Sequence, residues 1–165
     1  MSTTRRLAAM LCAGVLFTAA SAGAQAPPPP QAYGSPITLE QAKKAMAAAE
    51  AEAKKNNWSM AIVILDSGGL VVMLQRLDNT QWGSIDVARD KAYSAAAFRR
   101  STKVFSDAIA QGGPNLRLLN VTGASMIEGG EPIVVDGKVI GSIGVSGGTA
   151  QQDAQVAQVG ANALK

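Results

Sequence analysis

The stretch Glu128-Gly-Gly-Glu-Pro-Ile-Val-Val-Asp-Gly-Lys-Val-Ile-Gly-Ser-Ile-Gly-Val-Ser-Gly-Gly148 decides the fold, because it specifies a hairpin and leads straight into a helix. Asp136-Gly137 falls between two β-branched runs, Ile133 to Val135 and Lys138 to Val145. That arrangement is the strongest short-range signal for a tight two-residue hairpin turn. Gly141 and Gly144 interrupt the second strand. A glycine inside a strand marks a bulge or a close approach by another backbone or a flat ligand. Two readings therefore stand: a helix packed tightly on the sheet, or a ligand surface. Thr149-Ala-Gln-Gln152 follows as a capping box and starts a helix that runs to about Leu164. Asp153 in its first turn is explained by the helix dipole.

Earlier in the chain the same logic yields three more helices and a second hairpin. Thr38-Leu-Glu-Gln41 is another capping box, with Leu39, Ala42, Met46, Ala49 and Ala53 at helical spacing. Glu40/Lys44 and Glu50/Lys54 are favourable four-residue pairs on the outer surface. Asn56-Asn57 ends that helix. Met60 to Leu65 is a short apolar run expected to be a strand buried on both faces. Asp66-Ser-Gly-Gly69 turns the chain into a partner strand, Leu70 to Leu77. From Ile85 to Arg100 the period is helical, with Ile85, Ala88, Ala92, Ala95 and Ala96 forming a small-residue stripe able to lie close to a sheet. Asp86, Arg89, Asp90, Tyr93 and Arg100 face away from it. Lys91 and Ser94 fall on a third flank able to line a cleft, although a solvated lysine with its stem along apolar surface accounts equally for the pattern. Thr102 to Gln111 is a short helix, and Gly112-Gly-Pro-Asn115 opens a loop. Strands arriving as hairpins among helices make the fold α+β, an antiparallel sheet of about five strands flanked by helices.

The N-terminus is of a different character. Arg5 and Arg6 precede the apolar stretch Leu7 to Ala20, and Ala22-Gly23-Ala24 has the small residues a signal peptidase reads, so residues 1–24 are expected to be a cleaved secretory signal. The apolar stretch is about 14 residues, short of the roughly 20 a membrane-spanning helix requires. The expected location is periplasmic or secreted. Gln25 to Pro36, with four consecutive prolines from Pro27, is expected to be an extended or disordered arm. A single domain then occupies residues 37–165. The chain has 15 basic and 12 acidic residues. Losing Arg5 and Arg6 leaves 13 against 12, a nearly neutral protein with no electrostatic signature of nucleic-acid binding.

Residues Ile62 to Leu70, Asp86 to Phe98 and Gly129 to Gly147, together with Asp153, resemble the GlcG/HbpS family, named for haem binding or haem degradation. The resemblance covers nearly all of Ile37 to Leu164. It implies a profilin-like or PAS-like sheet flanked by helices, homo-oligomeric assembly, and haem as the leading cofactor.

The chemical inventory restrains the functional inference. The chain has no histidine, and its one cysteine, Cys12, lies within the expected signal. A serine triad, an imidazole base and the usual proximal haem ligand are all missing, and a structural zinc site has no ligands to draw on. Met60, Met73, Met126 and Tyr93 are the admissible thioether and phenolate ligands, though methionine is equally a core filler. Arg76, Arg89 and Lys91 are the cations nearest the matching segments and are the candidates for pairing with haem propionates. Catalysis has no support in any motif. The expected protein binds a small hydrophobic or planar anionic molecule, with haem first, at a site drawn from Arg76, Arg89, Lys91, Ser94, Met73 and Tyr93. Haem degradation and a non-catalytic oligomeric accessory role are the alternatives.

Overall fold

A computed structural model of the chain describes residues 31–165. The expected signal and the first half of the proline-rich arm lie outside the described residues. The order of elements is β1 (Ala32–Tyr33), α1 (Leu39–Lys55), β2 (Ala61–Asp66), β3 (Val71–Arg76), α2 (Gly83–Phe98), α3 (Lys103–Ala110), a 3-10 helix (Gly113–Asn120), β4 (Gly130–Val135), β5 (Lys138–Ser146) and α4 (Ala150–Asn162). Both expected hairpins form. β2 pairs antiparallel with β3, and β4 pairs antiparallel with β5 across a turn in which Asp136 and Gly137 both have positive φ, 50° and 71°. That is the backbone signature of the turn whose twist suits a hairpin. β5 also pairs antiparallel with β2, which places it between the two hairpins.

The arm departs from expectation at its C-terminal end. Ala32 and Tyr33 form a parallel strand against Lys138 and Val139, so the sheet is mixed and not purely antiparallel. An extended chain without proline at those two positions retains the amides a ladder needs. Side chains then fasten it: the Tyr33 hydroxyl donates to the Ala96 carbonyl at 2.8 Å, and the Arg99 guanidinium lies 5.1 Å from the Tyr33 ring centre. Two local differences also appear. Glu40 pairs with Lys43 at 2.7 Å and not with Lys44, while Glu50 pairs with Lys54 as expected. The loop after Gly112 is wound into the 3-10 helix. Among the described residues no helix is long and apolar enough to cross a membrane.

Three layers result. On one face of the sheet, Ala42, Ala45, Met46 and Ala49 of α1 and Val156, Ala157 and Ala161 of α4 cover Ile62, Ile64, Ile143 and Val145. On the other, Ala88 and Ala92 of α2 cover Ala61, Val63 and Leu65. Both capping boxes form, on Thr38 and Thr149. The two glycines of β5 serve packing. A Cβ on Gly144 would lie 2.0 Å from the Ala88 carbonyl oxygen and 2.5 Å from the Ala92 amide nitrogen, so only glycine lets α2 settle at this depth. Ser142 beside it donates to the Ala92 carbonyl at 2.7 Å.

That depth changes the environment of Lys91. It is 1% exposed, and its ammonium donates to the Asp153 carboxylate at 2.7 Å and to the Val145 carbonyl at 3.0 Å. Asp153 in turn accepts from the Gly148 amide at 3.0 Å. The reading of Lys91 as a solvated or cleft-lining cation is therefore corrected. Its stem enters the interior between α2 and β5, where an ammonium requires a partner, and the carboxylate of α4 supplies one. Asp153 is correspondingly more than a dipole partner for its own helix.

Two outcomes follow from this packing. Gly144→Ala is expected to cost about 3 kcal/mol, since backbone must move to admit one methyl; Gly137→Ala, whose Cβ meets nothing within 4 Å, should cost only about 1 kcal/mol for its positive φ. Equal losses in urea denaturation would show that α2 does not rest on Gly144. Replacing Lys91 by Met leaves a buried carboxylate unpaired and should cost about 3–5 kcal/mol. The double variant Lys91→Met/Asp153→Asn, which retains an acceptor for Gly148 and removes both charges, should be more stable than either single variant by the same assay.

Candidate functional site

Tyr93 projects from the outer side of α2 and is 46% exposed. Its setting follows from two turns far apart in sequence. The β2–β3 turn is closed by Asp66, whose carboxylate accepts from the amides of Gly68 and Leu70 at 2.8 and 2.9 Å, and this brings Gly69 to the ring. From the other side comes the loop after the 3-10 helix, held by the Ser125 amide donating to the buried Ser94 hydroxyl at 3.0 Å, which brings Gly123. A Cβ on Gly69 would lie 3.3 and 3.4 Å from Tyr93 Cδ2 and Cε2, with no other heavy atom within 4 Å. One on Gly123 would lie 2.8, 3.5 and 3.9 Å from Cε1, Cδ1 and Cζ. An atom over the ring face would be nearly equidistant from several ring carbons. Gly123 thus meets the ring at its Cδ1–Cε1 edge and Gly69 at the opposite Cδ2–Cε2 edge. The ring stands between two turns and stays half-exposed.

A cleft of about 430 Å³ opens at this ring. Val87 and Asp90 line it from α2, and Gly123, Ser125 and Ile127 line it from the loop. Leu70, next in sequence to Gly69, and Val121, two residues before Gly123, are exposed apolar side chains. Arg89 stands one turn before Tyr93 on α2 and is exposed.

The sequence-derived candidates divide accordingly. Tyr93 and Ser94 come together here, Tyr93 as the exposed ring and Ser94 as the anchor of the loop. Arg89, one turn before Tyr93, is exposed but does not line the cleft. Lys91, on the same helix, is turned inward and engaged with Asp153. Met73 packs partly buried against the α1/α4 core on the opposite face of the sheet, away from this cleft, and Met60 is fully buried in that core. Arg76 lies in a different cleft with Glu50, Lys54, Trp58 and Asp78. There two carboxylates face two cations, and the Glu50 carboxyl is held below its ordinary value, first by its bond to Lys54 and then by Gln75. Gly69 and Gly123 are the site residues that sequence reasoning missed. Each sits in a plain turn signal, and only the folded chain brings them to one ring.

The Arg76 cleft is lined mostly by charged and polar side chains, whereas the Tyr93 cleft is lined by Val87, Tyr93 and Ile127 beside Asp90 and Ser125. The donors around it are oxygens only: Asp90, Ser125 and the Tyr93 phenol. Among the described residues no group of three or more histidine, cysteine, aspartate or glutamate side chains is arranged to hold a metal ion.

Residues 37–162 match the family model described as haem degrading protein HbpS-like. Protein GlcG of Escherichia coli is 40% identical over 112 residues, which span 67% of this chain and 81% of GlcG. Two crystal structures share the fold: a double mutant of Streptomyces reticuli HbpS, with a TM-score of 0.71 and 28% identity over 92% of this chain and 99% of that one, and a PduOC–haem complex, with a TM-score of 0.71 and 25% identity over 79% and 96%. Three layers, a mixed five-stranded sheet and a family match across the whole folded region agree, and the chain belongs to the HbpS-like family.

Proposed function

We propose that this protein binds haem or a closely related planar tetrapyrrole in the cleft beside Tyr93. The observation that carries the proposal is a half-exposed tyrosine ring that lines the cleft and stands between Gly69 and Gly123 at its two lateral edges. A ring so fixed has little rotamer freedom to lose when a flat ligand stacks on it. The similarity to a protein crystallised with haem supports the same class of ligand. Arg89, exposed one turn before Tyr93, is the cation assigned here to a carboxylate at the ligand's edge. When bound, haem would supply iron chemistry; the chain's residues bind the macrocycle, shield one of its faces and orient its carboxylates.

Export after cleavage at Ala24 and assembly into a symmetric homo-oligomer larger than a dimer belong to the same proposal. The first rests on Arg5, Arg6 and the apolar stretch that follows them. The second is supported by α3 and the 3-10 helix, where Val104, Leu116 and Leu119 are 49%, 47% and 61% exposed. A second reading, oxidative haem breakdown, is favoured by the family's description.

Titration of the mature chain with haemin, followed in the Soret band, tests the proposal. Arg89→Ala should weaken binding about fivefold, the worth of one exposed ion pair, and Arg76→Ala should leave it unchanged. The reverse pattern would put the ligand in the other cleft. Light scattering on the same sample should return a mass above that of a dimer. Adding a reductant in air then separates the two readings: a stable Soret band means binding, and its progressive loss means degradation.

A further inference from the structure

We infer that the Tyr93 cleft recognises the face of the macrocycle and not its metal, so that it takes metal-free porphyrins as readily as haem. The inference rests on the tetrapyrrole reading above and assigns Tyr93 a role within it. The two roles open to a tyrosine are mutually exclusive in space. As an axial ligand it must direct its oxygen along the normal to the macrocycle, which tilts its ring steeply away from the porphyrin plane. As a platform it must lie parallel to that plane. Gly69 and Gly123 stand at the two lateral edges of the ring, which limits its turning, and Tyr93 lines the cleft while remaining 46% exposed.

The remaining donors agree with a platform. Asp90 offers a carboxylate, and the Ser125 hydroxyl is turned to Ile127, whose carbonyl it approaches at 3.4 Å. The chain contains no histidine, Met60 and Met73 pack in the core on the opposite side of the sheet, and Met126, half-buried between Ser125 and Ile127, does not itself line the cleft. The donors that hold haem iron most strongly are therefore missing from the cleft. What the cleft offers in their place is the apolar area of Val87 and Ile127 and the Tyr93 ring, and both act on the organic part of the ligand.

Parallel titrations with haemin, followed by absorbance, and with metal-free protoporphyrin IX, followed by its fluorescence, test this on the wild type, Tyr93→Phe and Tyr93→Ala. The wild type should bind the two with Kd values within about tenfold of each other. Tyr93→Phe keeps the face and removes the phenol, and should retain both ligands. Tyr93→Ala should weaken both by about tenfold, the worth of a stacked aromatic face. Circular dichroism confirms that each variant is folded, as a half-exposed position allows. Haemin binding without protoporphyrin binding, or loss of haemin alone in Tyr93→Phe, would make the phenol an iron ligand and overturn the inference while leaving the tetrapyrrole reading intact. Binding of neither porphyrin by the wild type would overturn both.

Discussion

The close approach of α2 to the sheet is the constraint on which the rest depends. At Gly144 the strand presents no side chain, and the backbone of Ala88 and Ala92 occupies the space a Cβ would take. Alanine on the helix and glycine on the strand bury little apolar area per residue, so depth substitutes for side-chain size in excluding water. The consequence is a helix whose inner face is entirely committed. Even residues on its flank, Lys91 and Ser94, fall below the surface and must find internal partners.

Those partners connect the layers. Lys91 carries α2 to Asp153 at the start of α4 and to the Val145 carbonyl on β5, so one ammonium touches three elements. Ser94 carries α2 to the loop at Ser125. The first contact fixes the helix on the sheet; the second fixes the loop on the helix. Gly69 is positioned by the Asp66 turn at the end of β2, so two anchored turns flank Tyr93. Anchoring of this kind lowers the ordering cost of any association at the ring.

Much of the fold was legible because its signals are local. Thr38 and Thr149 each have a glutamine three residues on, Asp136-Gly137 has the only geometry a short hairpin favours there, and the alanine period of α2 marks its buried stripe. The strand at Ala32 and Tyr33 was not legible, since its ladder depends on where Lys138 and Val139 come to lie and on Ala96 and Arg99 receiving the tyrosine. The site was legible only in part. Periodicity turned Tyr93 and Arg89 outward correctly, but it offered Lys91 only as solvated or cleft-lining and missed its burial, because a lysine stem is apolar and its ammonium is tolerated inside when a carboxylate from another helix meets it. Arg76 was drawn in by its nearness to the matching segments and Met73 by its thioether, and the strand end and the pleat carry them elsewhere. Gly69 and Gly123 have no meaning as a pair until the chain is folded.

The central claim is that packing beneath α2 creates a fixed tyrosine face which receives a flat ligand. A crystal structure of the chain with protoporphyrin IX tests it most directly. The macrocycle should lie parallel to the Tyr93 ring, about 3.5 Å from it, between the turn at Gly69 and the loop at Gly123, with a carboxylate toward Arg89. A macrocycle lodged beside Arg76 and Trp58, or one meeting Tyr93 edge-on, would contradict it.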